Sequence, residues 1–238
     1  MKREVLYGVR PVAEALRSRR RKIFEVLDVA KNTEIMEAAD TAGVPVKKVP
    51  RARIEELARG GVHQGVVARV GPYPYSDPGE ILAVSDPLIL VLDSITDPRN
   101  LGAVLRAVDG AGATGVVIPK DRAVGVTAAA VKASAGASEH VPVARETNLR
   151  RAIDRMKGAG IWVYAAEVEG TTYTELDLSG PVALVLGSEG RGVRRLVREG
   201  CDGAVSIPML GALESLNVSV AAAVLLYEAR RQRGWRRT

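Results

Sequence analysis

Apolar runs of strand length alternate with helical stretches through the last two thirds of the chain. Leu-Ile-Leu-Val-Leu at 88–92 and Val-Ala-Leu-Val-Leu at 182–186 lack the alternation of polar and apolar residues that a half-exposed strand needs. Strands buried on both faces are typical of a parallel sheet covered by helices. The pattern predicts strands at 88–92, 115–118, 141–144, 161–166, 182–186 and 204–207, and helices at 101–110, 126–135, 149–157, 193–198 and 216–231. Patterning alone therefore predicts an open, unknotted α/β sheet with helices on both faces, in which ligands bind beyond the carboxyl ends of the strands.

The first 70 residues predict a separate set of shorter elements. Helices are expected at 9–17, 33–42 and 51–59, and strands at 23–29, 44–49 and 64–70. The nine residues that follow, 71–79, contain three prolines and two glycines, which is typical of an extended linker because proline fixes φ and lacks an N–H. We therefore divide the chain into a small N-terminal α/β domain at 1–72, a linker at 73–84 and a larger α/β domain at 85–238.

Composition excludes several classes of protein. Apolar residues make up 47% of the chain and charged residues 26%, which are ordinary globular values. No apolar run reaches the ~18–20 residues that a membrane span needs, and the N-terminus shows no apolar signal segment. We therefore expect a cytoplasmic protein without a membrane partner. One cysteine, Cys201, and two histidines form no disulfide or metal framework, so no metal is expected.

The net positive charge of the chain comes from its first third. Residues 1–72 hold 15 basic and 9 acidic residues, which accounts for the whole net charge of +6, and residues 73–238 are balanced. The densest basic run spans 17–22. Because arginine pairs with phosphate through two hydrogen bonds, Arg19, Arg20 and Arg21 are candidate contacts to a polyanion. A solvated basic face without a partner is the alternative.

Polar residues and glycines follow three of the predicted strands. Asn100 and Arg106 come after the strand at 88–92, and Arg106 interrupts an otherwise apolar helix. The second loop reads Gly187-Ser-Glu-Gly-Arg-Gly192, where glycines allow positive φ and a close approach of backbone to a ligand. It is neither a dinucleotide fingerprint nor a Walker A loop. The third loop holds Ser215 and Asn217. Helix capping alone would explain Asn100 and Ser215.

Together and in this order, the three loops resemble the three motifs of the SpoU/TrmH family of RNA ribose 2′-O-methyltransferases. Asn100 with Arg106 resembles the first motif, Leu-Gly-Ser-Glu-Gly-Arg-Gly at 186–192 the second, and the segment from Ile-Pro-Met to Ser-Leu-Asn-Val-Ser-Val-Ala, at 207–221, the third. Tyr-Gly-Val at 7–9 and Val-His-Gln-Gly-Val-Val-Ala at 62–68 resemble the small substrate-binding domain of the RlmB-type subgroup, which methylates a guanosine in 23S rRNA. Arg10 departs from the histidine that this subgroup often has.

The resemblance implies a fold, a reaction and partners. It implies a C-terminal α/β knot that binds S-adenosylmethionine, a homodimer packed through that region, and a ribosomal-protein-like N-terminal domain that binds RNA. A ribose 2′-hydroxyl would receive the methyl group, leaving S-adenosylhomocysteine. The alternatives are a tRNA 2′-O-methyltransferase of the same family and an RNA-binding assembly factor without turnover.

The resemblance also implies roles for single residues. Arg106 would act beside the reacting hydroxyl, as an electrostatic stabiliser or as a base. Its expected catalytic companions are Asn100, Glu189, Ser215 and Asn217. Backbone groups at five positions would hold the cofactor: Leu186, Gly187, Ile207, Met209 and Leu216.

Overall fold

The computed structural model describes residues 3–188 and 190–235. Its N-terminal part forms a four-stranded sheet with three helices. The sheet has the order β1-β4-β2-β3, in which β4 pairs antiparallel with β1 and β2, and β3 pairs parallel with β2. Its strands are β1 (Glu4–Tyr7), β2 (Ile23–Asp28), β3 (Val46–Lys48) and β4 (Val66–Val70). Its helices are α1 (Val9–Ser18), α2 (Thr33–Ala42) and α3 (Arg51–Ala58).

The C-terminal part is built on a six-stranded sheet. Its order is β10-β8-β9-β5-β6-β7, and every neighbouring pair of these strands is parallel. The strands are β5 (Leu88–Leu92), β6 (Gly115–Pro119), β7 (Val143–Glu146), β8 (Trp162–Thr172), β9 (Val182–Leu186) and β10 (Gly203–Ser206). The prediction of a parallel α/β sheet preceded by a small α/β domain is confirmed.

Six helices accompany the larger sheet. They are α4 (Pro78–Leu82), α5 (Pro98–Ala111), α6 (Ala128–Ala133), α7 (Leu149–Gly158), α8 (Arg195–Arg198) and α9 (Val218–Gln232). Alternate residues of β5 point to opposite layers, as its pleat requires. Leu90 packs in the cluster that includes α5, α6 and α9, whereas Val91 packs in the cluster that includes α7 and α8. Both faces of the sheet are therefore covered, which explains the uninterrupted apolar runs.

Several predicted boundaries were wrong for local reasons. Helix α5 begins at Pro98, because the Asp97 side chain accepts a hydrogen bond from the Arg99 N–H at 2.7 Å and proline suits the first helical position. Asn100 therefore lies inside the first turn and is not the cap. Helix α9 is capped by Asn217, whose side chain accepts from the Ser219 N–H at 2.9 Å, so Ser215 lies outside the helix.

The segment between the two sheets is extended at first and packs against the C-terminal part at several of its residues. Tyr73 is buried, and its hydroxyl donates a hydrogen bond to the Ser138 carbonyl at 2.8 Å. Ser76 forms a parallel bridge with Ala144 beside β7, and helix α4 follows. No helix among the described residues is both long and apolar enough to cross a membrane.

Candidate active site

A cleft of about 280 Å³ opens at the carboxyl ends of β9 and β10, beside the middle of β8. The strands that follow β5 in the chain are added first on one side of it, as β6 and β7, and then on the other side, as β8, β9 and β10. The cleft lies beside this switch point, and ligands bind at such points in open α/β sheets. Helix α9 closes one wall with Val218 and Ala221. The cleft brings together all five residues predicted to hold a cofactor: Leu186, Gly187, Ile207, Met209 and Leu216.

The loop after β9 is folded tightly on itself. Its first glycine, Gly187, faces the backbone of Gly192 so closely that a Cβ would lie 1.9 Å from the Gly192 carbonyl carbon. The Gly192 N–H donates to the Ser188 carbonyl at 2.9 Å, and Gly190 and Gly192 have φ of +77° and +63°. These positions require glycine for steric reasons, so the second motif forms a thin wall of backbone along the cleft.

Asp93, directly after β5, holds Arg194, the residue that follows this loop, through hydrogen bonds. This carboxylate is fully buried and accepts hydrogen bonds from the Arg194 N–H at 2.8 Å and from Arg194 Nε at 2.7 Å. The Asp93 N–H in turn donates to the Leu186 carbonyl at 2.7 Å. A carboxylate directly after a fully buried strand is the signal in the sequence that points to this residue.

Glu167 is a lining residue that the sequence analysis missed. It lies in β8 beyond the predicted end of that strand. Its Oε1 is buried and has no hydrogen-bond partner among residues 3–188 and 190–235. A buried acceptor without a donor costs free energy, so this oxygen is suited to receive a hydrogen bond from a ligand in the cleft.

The first and third motifs meet at a pair of asparagines. Asn217 Nδ2 donates to Asn100 Oδ1 at 3.1 Å, and Asn217 Oδ1 accepts from the Ser219 hydroxyl at 2.6 Å. Ser215 lines the cleft with its neighbour Leu216. Glu189 lies outside the described residues. The structure therefore joins Asn100 to Asn217 directly, next in sequence to the cleft residues Leu216 and Val218, and places Ser215 in the lining of the cleft.

Arg106 lies apart from this group. It is exposed on α5 and does not line the cleft, and its side chain forms no hydrogen bond or ion pair with another residue in the described part of the chain. Helix α5 packs against α9, where Tyr227 lies close to Gly110. Val220 and Tyr227 on α9 are exposed apolar residues. Arg106 thus faces solvent from a helix that packs against α9.

The predicted basic cluster is not a single exposed face. Arg21 is buried in an ion pair with Glu139, and Arg20 donates to the Val141 carbonyl at 2.9 Å and to Ser76 Oγ at 3.2 Å. Arg19 is exposed and donates to the Thr41 carbonyl. Arg21 is too buried to contact a polyanion, because its guanidinium pairs with Glu139 inside the protein. Arg20 is half-buried and donates to the C-terminal part and the connecting segment, so a contact of Arg19 or Arg20 with a polyanion stays a prediction.

No group of three or more histidine, cysteine, aspartate or glutamate residues that could hold a metal ion occurs within the described ranges. The single thiol, at Cys201, is partly buried beside Asp202, and burial raises its pKa to about 12. Such a thiol is a poor nucleophile. The chemistry of this region therefore rests on backbone, amide, carboxylate and guanidinium groups.

Comparison with known proteins assigns the chain to a family. Residues 87–227, which contain all three motifs, match the SpoU rRNA methylase family. The chain belongs to this family. Residues 5–76 match a second family, described as RNA 2′-O ribose methyltransferase substrate binding. The resemblance inferred from the three motifs is confirmed, and this SpoU methylase is an RNA 2′-O-methyltransferase.

Similar proteins cover nearly the whole chain. The 23S rRNA (guanosine-2′-O-)-methyltransferase RlmB of Escherichia coli is 42% identical over 97% of this chain and 99% of its own. An uncharacterized tRNA/rRNA methyltransferase of Mycolicibacterium vanbaalenii is 44% identical over 97% of this chain and 77% of its own. The crystal structure of the SpoU methyltransferase AviRb from Streptomyces viridochromogenes, in complex with AdoMet, has a TM-score of 0.84 and 28% identity, covering 96% of this chain and 89% of that one.

Proposed function

We propose that this SpoU methylase transfers a methyl group from S-adenosylmethionine to the ribose 2′-hydroxyl of a guanosine in 23S rRNA. The observation that carries the proposal is the similarity to Escherichia coli RlmB, which extends through both sheets at 42% identity. The similarity includes the N-terminal part, which matches a substrate-binding family. The cleft at the carboxyl ends of β9 and β10 is where the chemistry would occur.

The residues of the cleft fit S-adenosylmethionine. Gly187 lets the loop pack against the Gly192 backbone, which a Cβ would prevent, and Leu186, Ile207, Met209 and Leu216 line the cleft beside it. Glu167 Oε1 offers a buried acceptor without a donor in the described part of the chain, which suits a hydroxyl or amine of the ligand. When bound, the cofactor supplies an electrophilic methyl group on a sulfonium. Holding both reactants in register contributes roughly 7–11 kcal/mol to such a reaction.

Arg106 is proposed as the residue that stabilises the reacting hydroxyl. A guanidinium scarcely deprotonates in proteins, so it would act by stabilising the developing alkoxide and by binding a neighbouring phosphate rather than as a base. Asn100, Glu189, Ser215 and Asn217 would orient the ribose and the loop. Because Arg106 lies outside the cleft lining of a single chain, its role requires bound RNA or a second copy to bring the ribose within its reach.

The proposal extends to the assembly and to the path of the chain. A homodimer would cover the exposed apolar residues of α9, Val220 and Tyr227, beside Arg106. We also propose the knot that typifies the family. The path of the chain after β10 supports it. From this edge strand the chain returns across the sheet, so that α9 packs on α5. There Arg230 Nε donates to the Ala111 carbonyl at 2.7 Å.

The division of the chain follows from the same proposal. Residues 1–72 would bind RNA, 73–84 would connect the two parts, and 85–238 would bind the cofactor and catalyse transfer in the cytoplasm. With Arg20 and Arg21 engaged inside the protein, exposed basic residues such as Lys22, just before β2, and Lys48 in β3 would contact phosphates, and Arg19 would contribute from the end of α1.

A radiolabelled-methyl assay tests the proposed function. The enzyme is incubated with labelled S-adenosylmethionine and either unmodified 23S rRNA or bulk tRNA, and the modified nucleotide is then identified. Label at a 2′-O-methylguanosine of 23S rRNA is expected. Label in tRNA alone would replace rRNA with tRNA as the substrate, and no label in either would leave an RNA-binding factor without turnover.

A further inference from the structure

A buried ion pair connects the N-terminal unit, residues 3–70, to the catalytic unit, residues 88–235. Arg21 donates from Nε to Glu139 Oε2 at 3.0 Å and from a terminal nitrogen to Glu139 Oε1 at 2.6 Å. This is the two-bond arrangement that gives arginine and carboxylate their strongest and most directional contact. The side chains of Arg21 and Glu139 are 1% and 0% exposed. The pair lies in the interface, away from the cleft lining.

Aromatic and backbone groups enclose this pair. The Arg21 guanidinium lies 4.9 Å from the ring centre of Tyr73, in cation–π geometry. The Tyr73 hydroxyl donates to the Ser138 carbonyl at 2.8 Å, and Arg20 donates to the Val141 carbonyl at 2.9 Å. Residues 138–141 thus receive hydrogen bonds from three side chains of the first 73 residues.

The contact continues outward to a polar rim. Lys132 Nζ donates to Gln64 Oε1 at 2.6 Å, and His140 Nε2 lies 2.7 Å from Glu14 Oε2. Gly8 packs so closely that a Cβ there would lie 2.5 Å from Lys132 Nζ. Gly8 and Gln64 belong to the two N-terminal segments that resemble the substrate-binding domain, and in this structure both face the catalytic unit.

Apolar packing passes through the same contact without a break. Val12 and Leu16 of α1 belong to one buried cluster with Val131 and Val141 of the catalytic unit. Apolar contact alone tolerates small rotations, because it is not directional. A buried ion pair is directional, and its desolvation is offset only when both charges meet with good geometry. An orientation that separates Arg21 from Glu139 would leave an uncompensated buried charge.

We propose that Arg21 and Glu139 are positioning residues that hold the N-terminal unit against residues 128–141 in one orientation, so that the enzyme selects a folded RNA with a fixed separation between its docking surface and its target ribose. The part of the inference that concerns RNA rests on the proposed function. A flexible single strand can adapt to many separations and gains nothing from a fixed one. A folded RNA of matching shape binds without paying to reorganise the enzyme.

Charge reversal at the interface tests the orientation directly. In the full-length enzyme, Arg21→Glu places two carboxylates together, and the double variant Arg21→Glu with Glu139→Arg restores a pair of opposite charges. Arg51→Glu is the matched control, because Arg51 is exposed and pairs only at the surface with Glu55. Small-angle scattering and the rate of proteolysis at 71–87 report whether the units separate. Calorimetry with S-adenosylmethionine reports whether the cleft is intact.

We expect Arg21→Glu to increase the radius of gyration and to accelerate cleavage at 71–87 at least tenfold, with cofactor Kd within twofold of the wild type. The charge-swapped double variant should recover most of the difference, and Arg51→Glu should match the wild type. These readouts do not depend on the RNA substrate, so they remain interpretable if the proposed function fails. Unchanged scattering and proteolysis in Arg21→Glu would overturn the proposal.

Kinetics tests the consequence for substrate selection. With a folded 23S rRNA transcript, Arg21→Glu should raise KM at least tenfold with kcat within threefold, whereas activity on a short unstructured oligonucleotide carrying the same target should change little. Equal losses on both substrates would show a general structural defect and overturn the selection role. If Arg21→Glu does not accumulate, Glu139→Gln keeps the shape and removes the charge. A rise in KM of about threefold is then expected, and wild-type behaviour of Glu139→Gln would overturn the proposal.

Discussion

The cleft and the contact between the two units are built in opposite ways. The cleft draws its lining from residues 166–221 and shapes it with backbone, most visibly where Gly187 meets Gly192. The contact between units joins residues more than sixty positions apart and is held by charged side chains, Arg21 and Glu139 above all. A site built from backbone can be recognised in a sequence by its glycines and their spacing. A contact built from side chains shows only isolated charges in the sequence, whose partners emerge in three dimensions.

The largest effect on cofactor binding is expected at Gly187, where the backbone of the loop packs against itself. Gly187→Ala adds only a Cβ, yet that atom would lie 1.9 Å from the Gly192 carbonyl carbon, so the loop must move. We expect S-adenosylmethionine affinity to fall at least 100-fold, which calorimetry measures. Gly180→Ala is the control, because a Cβ there has no neighbour within 4 Å. Normal cofactor binding by Gly187→Ala would show that the loop does not form the wall of the cofactor site.

Substitution of Arg106 tests whether methyl transfer in the cleft needs a guanidinium that does not line the cleft. Arg106→Ala should reduce methyl transfer by about 10²–10³-fold, the usual loss for an electrostatic stabiliser of the transition state. Cofactor binding should stay within twofold, because Arg106 does not line the cleft. Arg151→Ala, an exposed arginine on α7, is the control. A well-folded Arg106→Ala enzyme with near-normal turnover would exclude the proposed role.

A smaller effect is expected at Glu167, whose side chain, rather than its backbone, would contact the cofactor. Glu167→Gln keeps the shape of the side chain but removes the charge of a half-buried carboxylate, whose Oε1 has no donor within the described ranges and whose Oε2 lies 4.0 Å from the Arg198 guanidinium. Since hydrogen bonds to charged groups are worth about 1.5–3 kcal/mol, we expect S-adenosylmethionine Kd to rise about tenfold or more. Glu169→Gln, exposed two residues further along β8, should bind normally. Equal affinities in both variants would mean that Glu167 does not contact the cofactor.

The smallest effect concerns the exposed basic residues that remain after Arg20 and Arg21 are assigned to the contact between units. Replacing Lys22 and Lys48 together with alanine should flatten the dependence of log K for RNA on log salt by about 0.7 for each phosphate of a single strand that the variant no longer binds. Filter-binding titrations across a range of salt measure this slope. Arg151→Ala is the control and should keep the slope of the wild type. If the double lysine variant also keeps that slope, these lysines do not contact phosphates of the RNA.

The sequence was sufficient for the buried strands and for most of the cleft. Strands β5 and β9 have the predicted bounds, because uninterrupted apolar runs have one satisfactory environment, the middle of a covered sheet. The five cofactor candidates all line the cleft because their loops follow parallel strands that end at one edge. Strand β8 was predicted too short, since its second half, Glu-Val-Glu-Gly-Thr-Thr, is largely polar and exposed.

The contact between units could not be predicted in the same way. In the sequence, Arg21 belongs to a basic run and Glu139 to a short polar stretch, and nothing local distinguishes either from a surface residue. Their burial depends on how α1 packs beside the turn at Ala137–Glu139. Charge counting therefore placed Arg20 and Arg21 on a polyanion, although the same guanidinium geometry that suits phosphate also suits a buried carboxylate.

The position of β5 in the sheet has a consequence during protein synthesis. One of its two neighbours, β9, is translated only after three other strands of the same sheet, β6, β7 and β8. At roughly 5–20 residues per second, one edge of β5 stays without its native partner for on the order of several seconds or more. A fully apolar, uncharged five-residue strand with an open edge favours intermolecular pairing. The nascent chain at this stage is therefore expected to depend on ribosome-associated chaperones. A lysine introduced into Leu88–Leu92 would reduce intermolecular pairing, but it would also bury a charge and destabilise the folded sheet.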